Sequence, residues 1–317
     1  MTTSSELADL LARGEHAAFH VKPLAAVAAL EQAVQLGQSQ QRPAETTGAA
    51  WLLGVALGAA GRYGGALTVL SPLVEGGRRR GAPAEQQLFA ALASSTIASV
   101  HRQLGRHAVA RDADEAALAL AGRTGEGAFD AQLGLAADAV GLDELDEARE
   151  RANRAAALIP RTTSDWWRQR VRLGWVHADL ALLDGRPEEA VQAAQAAVAR
   201  AEQAKAPRHV AKSLLYVGIA QVGGAAEEEG DEQDRFTEAA GTLRRAATLA
   251  ESLGCVPLVW PARALLGALV AGSDPGESAT SLAASRTAVL AIASDLPPGV
   301  RAEWLARPDV GGLLEGS

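Results

Sequence analysis

The chain has 317 residues, a formal net charge of −8, 48% hydrophobic residues and only 4% aromatics. Alanine and leucine supply most of the apolar share, which favours helices over strands, since strands are built from β-branched and aromatic side chains. The acidic balance speaks against direct nucleic-acid binding, which draws on a basic face that displaces counterions. The single cysteine, Cys255, excludes an intramolecular disulfide. Near the N-terminus, MTTSSELADLLARGEH carries acids and no continuous apolar core, so it does not read as a signal peptide. The uncharged run Thr46 to Gly61 is too short to span a bilayer. A cytoplasmic protein without membrane contact is the expectation.

In chain order, 3.6-residue periodicity predicts paired helices over 5–18 and 22–39, 45–60 and 63–77, and 84–104 and 107–121. The pairing continues with 126–141 and 145–158, 164–184 and 187–205, 208–223 and 235–253, and 256–272 and 277–294. A capping helix over 298–314 closes the array. Pro43, Pro83, Pro160 and Pro207 fall between pairs, where a residue that cannot continue a helix belongs. A small residue, then Gly or Asp seven positions on, then Ala five further, recurs about every 40 residues, a repeat signature. The sets are Gly54–Gly61–Ala66, Ala98–Gly105–Ala110, Ala136–Asp143–Ala148, Ala178–Gly185–Ala190 and Gly267–Asp274–Ala279. Gly or Asp ends the first helix of each pair, and the small residues let the two axes approach. After Gly218 the turn gives way to an acidic run, residues 224–234, which predicts a mobile loop.

This pattern resembles the tetratricopeptide repeat. In AAWLLGVALGAAGRYGGALTVLSPLVE, the residues Leu53, Gly54, Gly61, Tyr63, Ala66 and Leu70 stand where that family has its signature, and GLDELDEARERANRAAALIP matches next. Spacings run longer than the family's repeat of about 34 residues. The longer helices and the ending LPPGVRAEWLARPDV are similar to the sensor arms of bacterial transcription activators. The resemblance implies an all-α fold, an α-α superhelix of about seven antiparallel pairs plus the cap. It forms one domain over 1–317, with an N-terminal pair in 1–40 and the cap in 295–317.

Catalytic chemistry is not written in the chain. It has no phosphate loop, no G-x-S-x-G elbow and no HExxH. His16 and His20 stand one helical turn apart without a third ligand nearby, which reads as a surface pair rather than a metal site. His177 replaces an apolar residue and reads as a packed core or capping histidine, and Cys255 as a buried structural thiol. The expectation is a protein that is not an enzyme and holds no cofactor or metal.

In tetratricopeptide arrays the first helices line the concave wall. The resemblance therefore implies a partner-binding face set by residues at i, i+3, i+7 and i+10 of those helices. This face includes Trp51, Val55, Ser99, Arg102, Arg172, Trp175, Asp179, Lys212, Leu215 and Ile219, with Tyr216 beside them. Trp51 and Trp175 fall at one register, as do Arg172 and Lys212. An apolar floor with a cationic rim suits a protein or peptide segment bearing an acidic residue. The family's clamp for C-terminal carboxylates does not carry over, because the only asparagine, Asn153, lies on a second helix. Trp166 and Trp167 open a first helix and read as a staple to its neighbour. The first functional reading is a non-catalytic interaction scaffold or adaptor that binds a partner segment in its concave groove. The alternative is a regulatory sensor module that binds a peptide or small ligand to control a separate transcription or signalling partner. A homodimer through the Ala-rich faces is a third reading.

Overall fold

The computed structural model describes residues 3–160, 166–225 and 232–315, all of whose regular elements are helices. The chain divides into two compact units, residues 1–162 and 163–317, a division the sequence pattern does not contain. The first unit holds α1 (Thr3–His20), α2 (Pro23–Ser39), α3 (Pro43–Ala59), α4 (Tyr63–Gly77), α5 (Ala84–Gln103), α6 (His107–Ala121), α7 (Gly125–Gly141) and α8 (Leu145–Leu158). The second holds α9 (Trp167–Leu183), α10 (Pro187–Gln203), α11 (Pro207–Ala225), α12 (Glu232–Leu253), α13 (Val256–Leu269) and α14 (Pro275–Asp295), followed by two short helices, α15 (Pro298–Leu305) and α16 (Pro308–Glu315). Periodicity predicts one capping helix here. It breaks in two because Pro308 cannot continue α15 but is suited to start α16. Around the acidic run, helix reaches further than predicted: α11 continues through Gly223 and Gly224 to Ala225, and α12 begins at Glu232. The predicted loop residues 226–231 lie outside the described residues.

Four hairpin turns, and the α12–α13 junction, share one closure. Gly61, Gly105, Asp143, Gly185 and Gly254 adopt φ of 81°, 75°, 61°, 66° and 68°, the left-handed region that ends a helix. In each case the next residue's N–H reaches back five positions, as in Arg62 to the Leu57 carbonyl (2.9 Å) and Arg186 to that of Ala181 (2.8 Å). Asp274, in the fifth sequence set, does something else. Its side chain caps α14 by accepting from the Glu277 N–H at 2.9 Å. The set also slips by one residue at its end. Ala66, Ala110, Ala148 and Ala190 are fully buried, whereas Ala279 is exposed and Ser278 takes the inward place, donating to the Gly267 carbonyl.

Within each unit every helix packs on the next, and the first helices of successive pairs also touch: α1, α3, α5 and α7 in the first unit, and α9, α11 and α13 in the second. Second helices make no comparable contact with one another. In each unit the first helices therefore form an inner layer, and the second helices splay outward. The close approach within pairs depends on missing side chains. Leu70 lies against the bare backbone of Gly54, and Leu243 against that of Gly218, where a Cβ would collide. Among the described residues, no helix is long and apolar enough to cross a membrane.

Candidate functional site

In the second unit, α9 and α11 meet through a ladder of rings. His209, Lys212, Ser213 and Tyr216 recur at i, i+3, i+4 and i+7, so α11 presents them on one face. The Trp175 ring of α9 stacks between His209 (centroids 5.8 Å apart, planes at 19°) and Tyr216 (6.0 Å, 9°). Its Nε1 donates to the Ser213 Oγ at 2.8 Å. Trp167 packs edge-on against His209 at 4.9 Å, so it does staple α9 to a neighbour, α11.

Charge is arranged around this ladder. The Lys212 ammonium sits 4.3 Å from the Trp175 ring centroid and 5.9 Å from that of Tyr216, within cation–π range of both. The Tyr216 hydroxyl donates to Asp179 Oδ2 at 3.3 Å. Burial pushes the Asp179 carboxyl up to about 7, against Lys212 and the Tyr216 hydroxyl, which hold it down. His209 is only 2% exposed. Burial, and then the positive charges of Arg208, Arg168, Arg172 and Lys212, push its imidazole well below the ordinary histidine range. It is a neutral ring inside a cationic collar.

The predicted residues of this unit separate into two groups. Trp175 (6% exposed) and Leu215 (6%) are buried: Trp175 supports the ladder, and Leu215 belongs to the core shared with α12 and α13. They do not form the predicted open apolar floor, because the stacked rings and the neighbouring helices cover them. Arg172, Asp179, Lys212, Tyr216 and Ile219 retain accessible surface.

In the first unit, Trp51, Val55 and Ser99 are half-buried. Trp51 repeats the logic of Trp175: its Nε1 donates to Thr96 Oγ1 of the next first helix at 3.3 Å, with Phe89 tilted against the ring at 6.0 Å. Arg102 is engaged inside the fold. Its guanidinium binds Asp114 of α6 (2.5 Å), both oxygens of Asp138 of α7 (2.7 and 3.1 Å) and the Gly134 carbonyl (3.1 Å), and both aspartate side chains are 0% exposed. Arg102 is a tie between three helices: its Nε and Nη2 are taken up by the two aspartates and the Gly134 carbonyl, and its side chain is left 18% exposed.

Periodicity gave no warning of His209, Ser213, Asp114 or Asp138. The available signal was polar side chains falling on the apolar register of Ala-rich helices. His177, read as a packed core or capping histidine, is exposed, and His209 is the buried one. Cys255 is buried and burial pushes its thiol up, in keeping with a structural thiol. The described cavities lie on the outer side, between second helices and above the first helix between them: about 860 Å³ between α6 and α8, 310 Å³ between α4 and α6, and 320 Å³ between α10 and α12.

The chain is similar in fold to a Rap protein solved in complex with competence and sporulation factor. The TM-score is 0.61 at 13% identity, covering 98% of this chain and 80% of that one. It also aligns with the apo form of RapI, with a TM-score of 0.46 at 12% identity, over 98% and 84% of the two chains. No protein-family model and no curated protein matches the sequence. The likeness establishes an all-α array of tetratricopeptide-like helix pairs.

Proposed function

We propose that the protein is a non-catalytic interaction module that holds an extended or helical segment of a partner protein on the inner layer of its second unit. The observation that carries this reading is the Lys212 ammonium fixed on the Trp175–Tyr216 stack, with Tyr216 and Ile219 keeping apolar surface beside it. A cation anchored on rings loses little freedom when it meets a carboxylate, and the neighbouring apolar surface supplies burial. Arg172 brings a second cation to the same layer, so an acidic residue flanked by apolar ones is the complementary sequence. The Rap protein that shares the fold was solved holding competence and sporulation factor, which supports a ligand-holding role for such an array and favours, as a second reading, a sensor that responds to a diffusible ligand.

The test compares wild type with an Arg172→Glu, Lys212→Glu variant of equal helicity, each used to capture partners from native lysate. Loss of a specific partner from the variant is the expected result. Identical capture by both proteins contradicts the reading and turns attention to the outer valleys.

A further inference from the structure

The inner layer of the second unit also carries the means to regulate its own binding, an inference that rests on that layer being the binding surface. Asp179 lies one turn beyond Trp175 on α9 and accepts from Tyr216, the same ring over which Lys212 is held. Carboxyl and ammonium thus flank one tyrosine. From α11, the titratable groups that face Asp179 are Lys212 and Tyr216. Around this stretch α10 contributes Ala190, Val191, Ala193 and Ala194, none of which titrates. We propose that Asp179 gates this surface: its carboxylate and an acidic group of the bound segment compete for the Lys212 ammonium, and protonation of Asp179 tightens binding.

The gate works near neutrality because burial pushes the Asp179 carboxyl up to about 7. Between pH 6 and 8 the surface gains a negative charge beside Lys212, while an ordinary partner carboxylate, with a pKa of about 4, stays ionised throughout. Affinity for an acidic segment therefore falls as pH rises. A pKa displaced by one unit on binding corresponds to about tenfold in affinity between the two protonation states. By the same linkage, a bound acidic segment raises the pKa of Asp179.

Two measurements on the full chain test this. The first titrates wild type and Asp179→Asn at pH 6 and pH 8 against a fixed panel of fluorescein-labelled amphipathic dodecapeptides containing Glu, with Gln counterparts. For a one-unit displacement from about 7, wild type should bind Glu peptides about fivefold more tightly at pH 6 than at pH 8. Asp179→Asn should bind them equally well at both pH values, and Gln peptides should show no pH dependence with either protein. The same pH dependence in Asp179→Asn overturns the gate while leaving the binding surface standing. Failure of every peptide to bind either protein overturns the binding surface, and the gate with it. The second follows the Asp179 carboxyl by carbon-detected NMR without ligand. A midpoint near 7 that moves up in Tyr216→Phe, where a hydrogen bond to the carboxylate is lost, is expected. A midpoint near the ordinary carboxylate value overturns the gate whichever peptides bind.

Discussion

Arg102 and Lys212 are both cations of first helices, yet their surroundings give them opposite duties. The guanidinium of Arg102 is held between Asp114 and Asp138, whose side chains have no exposure, and burial pushes the Asp114 carboxyl well up despite the nearby arginine. Removing one member of such a group leaves charge buried without compensation, which typically costs about 3–5 kcal/mol. Arg102→Met should lower unfolding free energy in urea by that amount, and a loss below about 1 kcal/mol would refute the structural role. The Asp179 carboxyl supplies a pH test of opposite origin. Its folded pKa lies above the unfolded value, so between about 4 and 7 the folded state holds a proton that the unfolded chain has released. Stability from this group is present at low pH and is lost as pH rises towards 7. His209 runs the other way: its imidazole is pushed down in the fold, so its contribution is lost as pH falls below about 6.5. Asp179→Asn should therefore be stabilised relative to wild type more at pH 8 than at pH 5 in denaturant titrations. An equal difference at the two pH values would count against the raised carboxyl.

At the scale of elements, the turns make the sharpest comparison. Gly185 and Asp143 close equivalent hairpins with φ of 66° and 61°, but only glycine adopts that conformation without steric strain. Gly185→Ala should cost about 1–2 kcal/mol, although no atom beyond its chain neighbours lies within 4 Å of the position its Cβ would take. Asp143→Gly should gain up to about 1 kcal/mol. Thermal unfolding of the two variants reads both signs, and a shift in the same direction for both would contradict the account. Across first helices, Ser213→Ala removes the acceptor of the buried Trp175 Nε1 and should cost about 1–3 kcal/mol with a change in tryptophan emission. The helix pairs were legible in the sequence because turn glycines and buried alanines recur at fixed spacing, and these act locally. The set ending on Ala279 misled because an Ala-rich chain supplies alanine at most spacings, whereas the structure turns Ser278 inward. The cap misled because periodicity continues across Pro308, where the backbone cannot.

For the whole molecule, legibility declines from fold to surface. An all-α array of helix pairs follows from composition and repeat, and a Rap protein with 13% identity shares it. Which face of a first helix is open cannot follow from register alone, because that depends on the neighbouring helix. Trp175 and Lys212 lie almost one above the other, yet the ring is buried under α11 while Lys212 is only half-buried. Arg102 lies on a first helix of the other unit, where Asp114 and Asp138 arrive from two other helices to engage it. The claim that matters most is that a partner segment lies on the inner layer of the second unit. A photo-crosslinking amino acid placed at Ile219, which is half-buried there, tests it most directly against the same group at Leu290, which is 52% exposed on α14. In native cells, a discrete adduct from position 219 that disappears with Lys212→Glu, and no matching adduct from position 290, is the predicted result. An adduct from position 290 alone, or one from position 219 indifferent to Lys212→Glu, would contradict it.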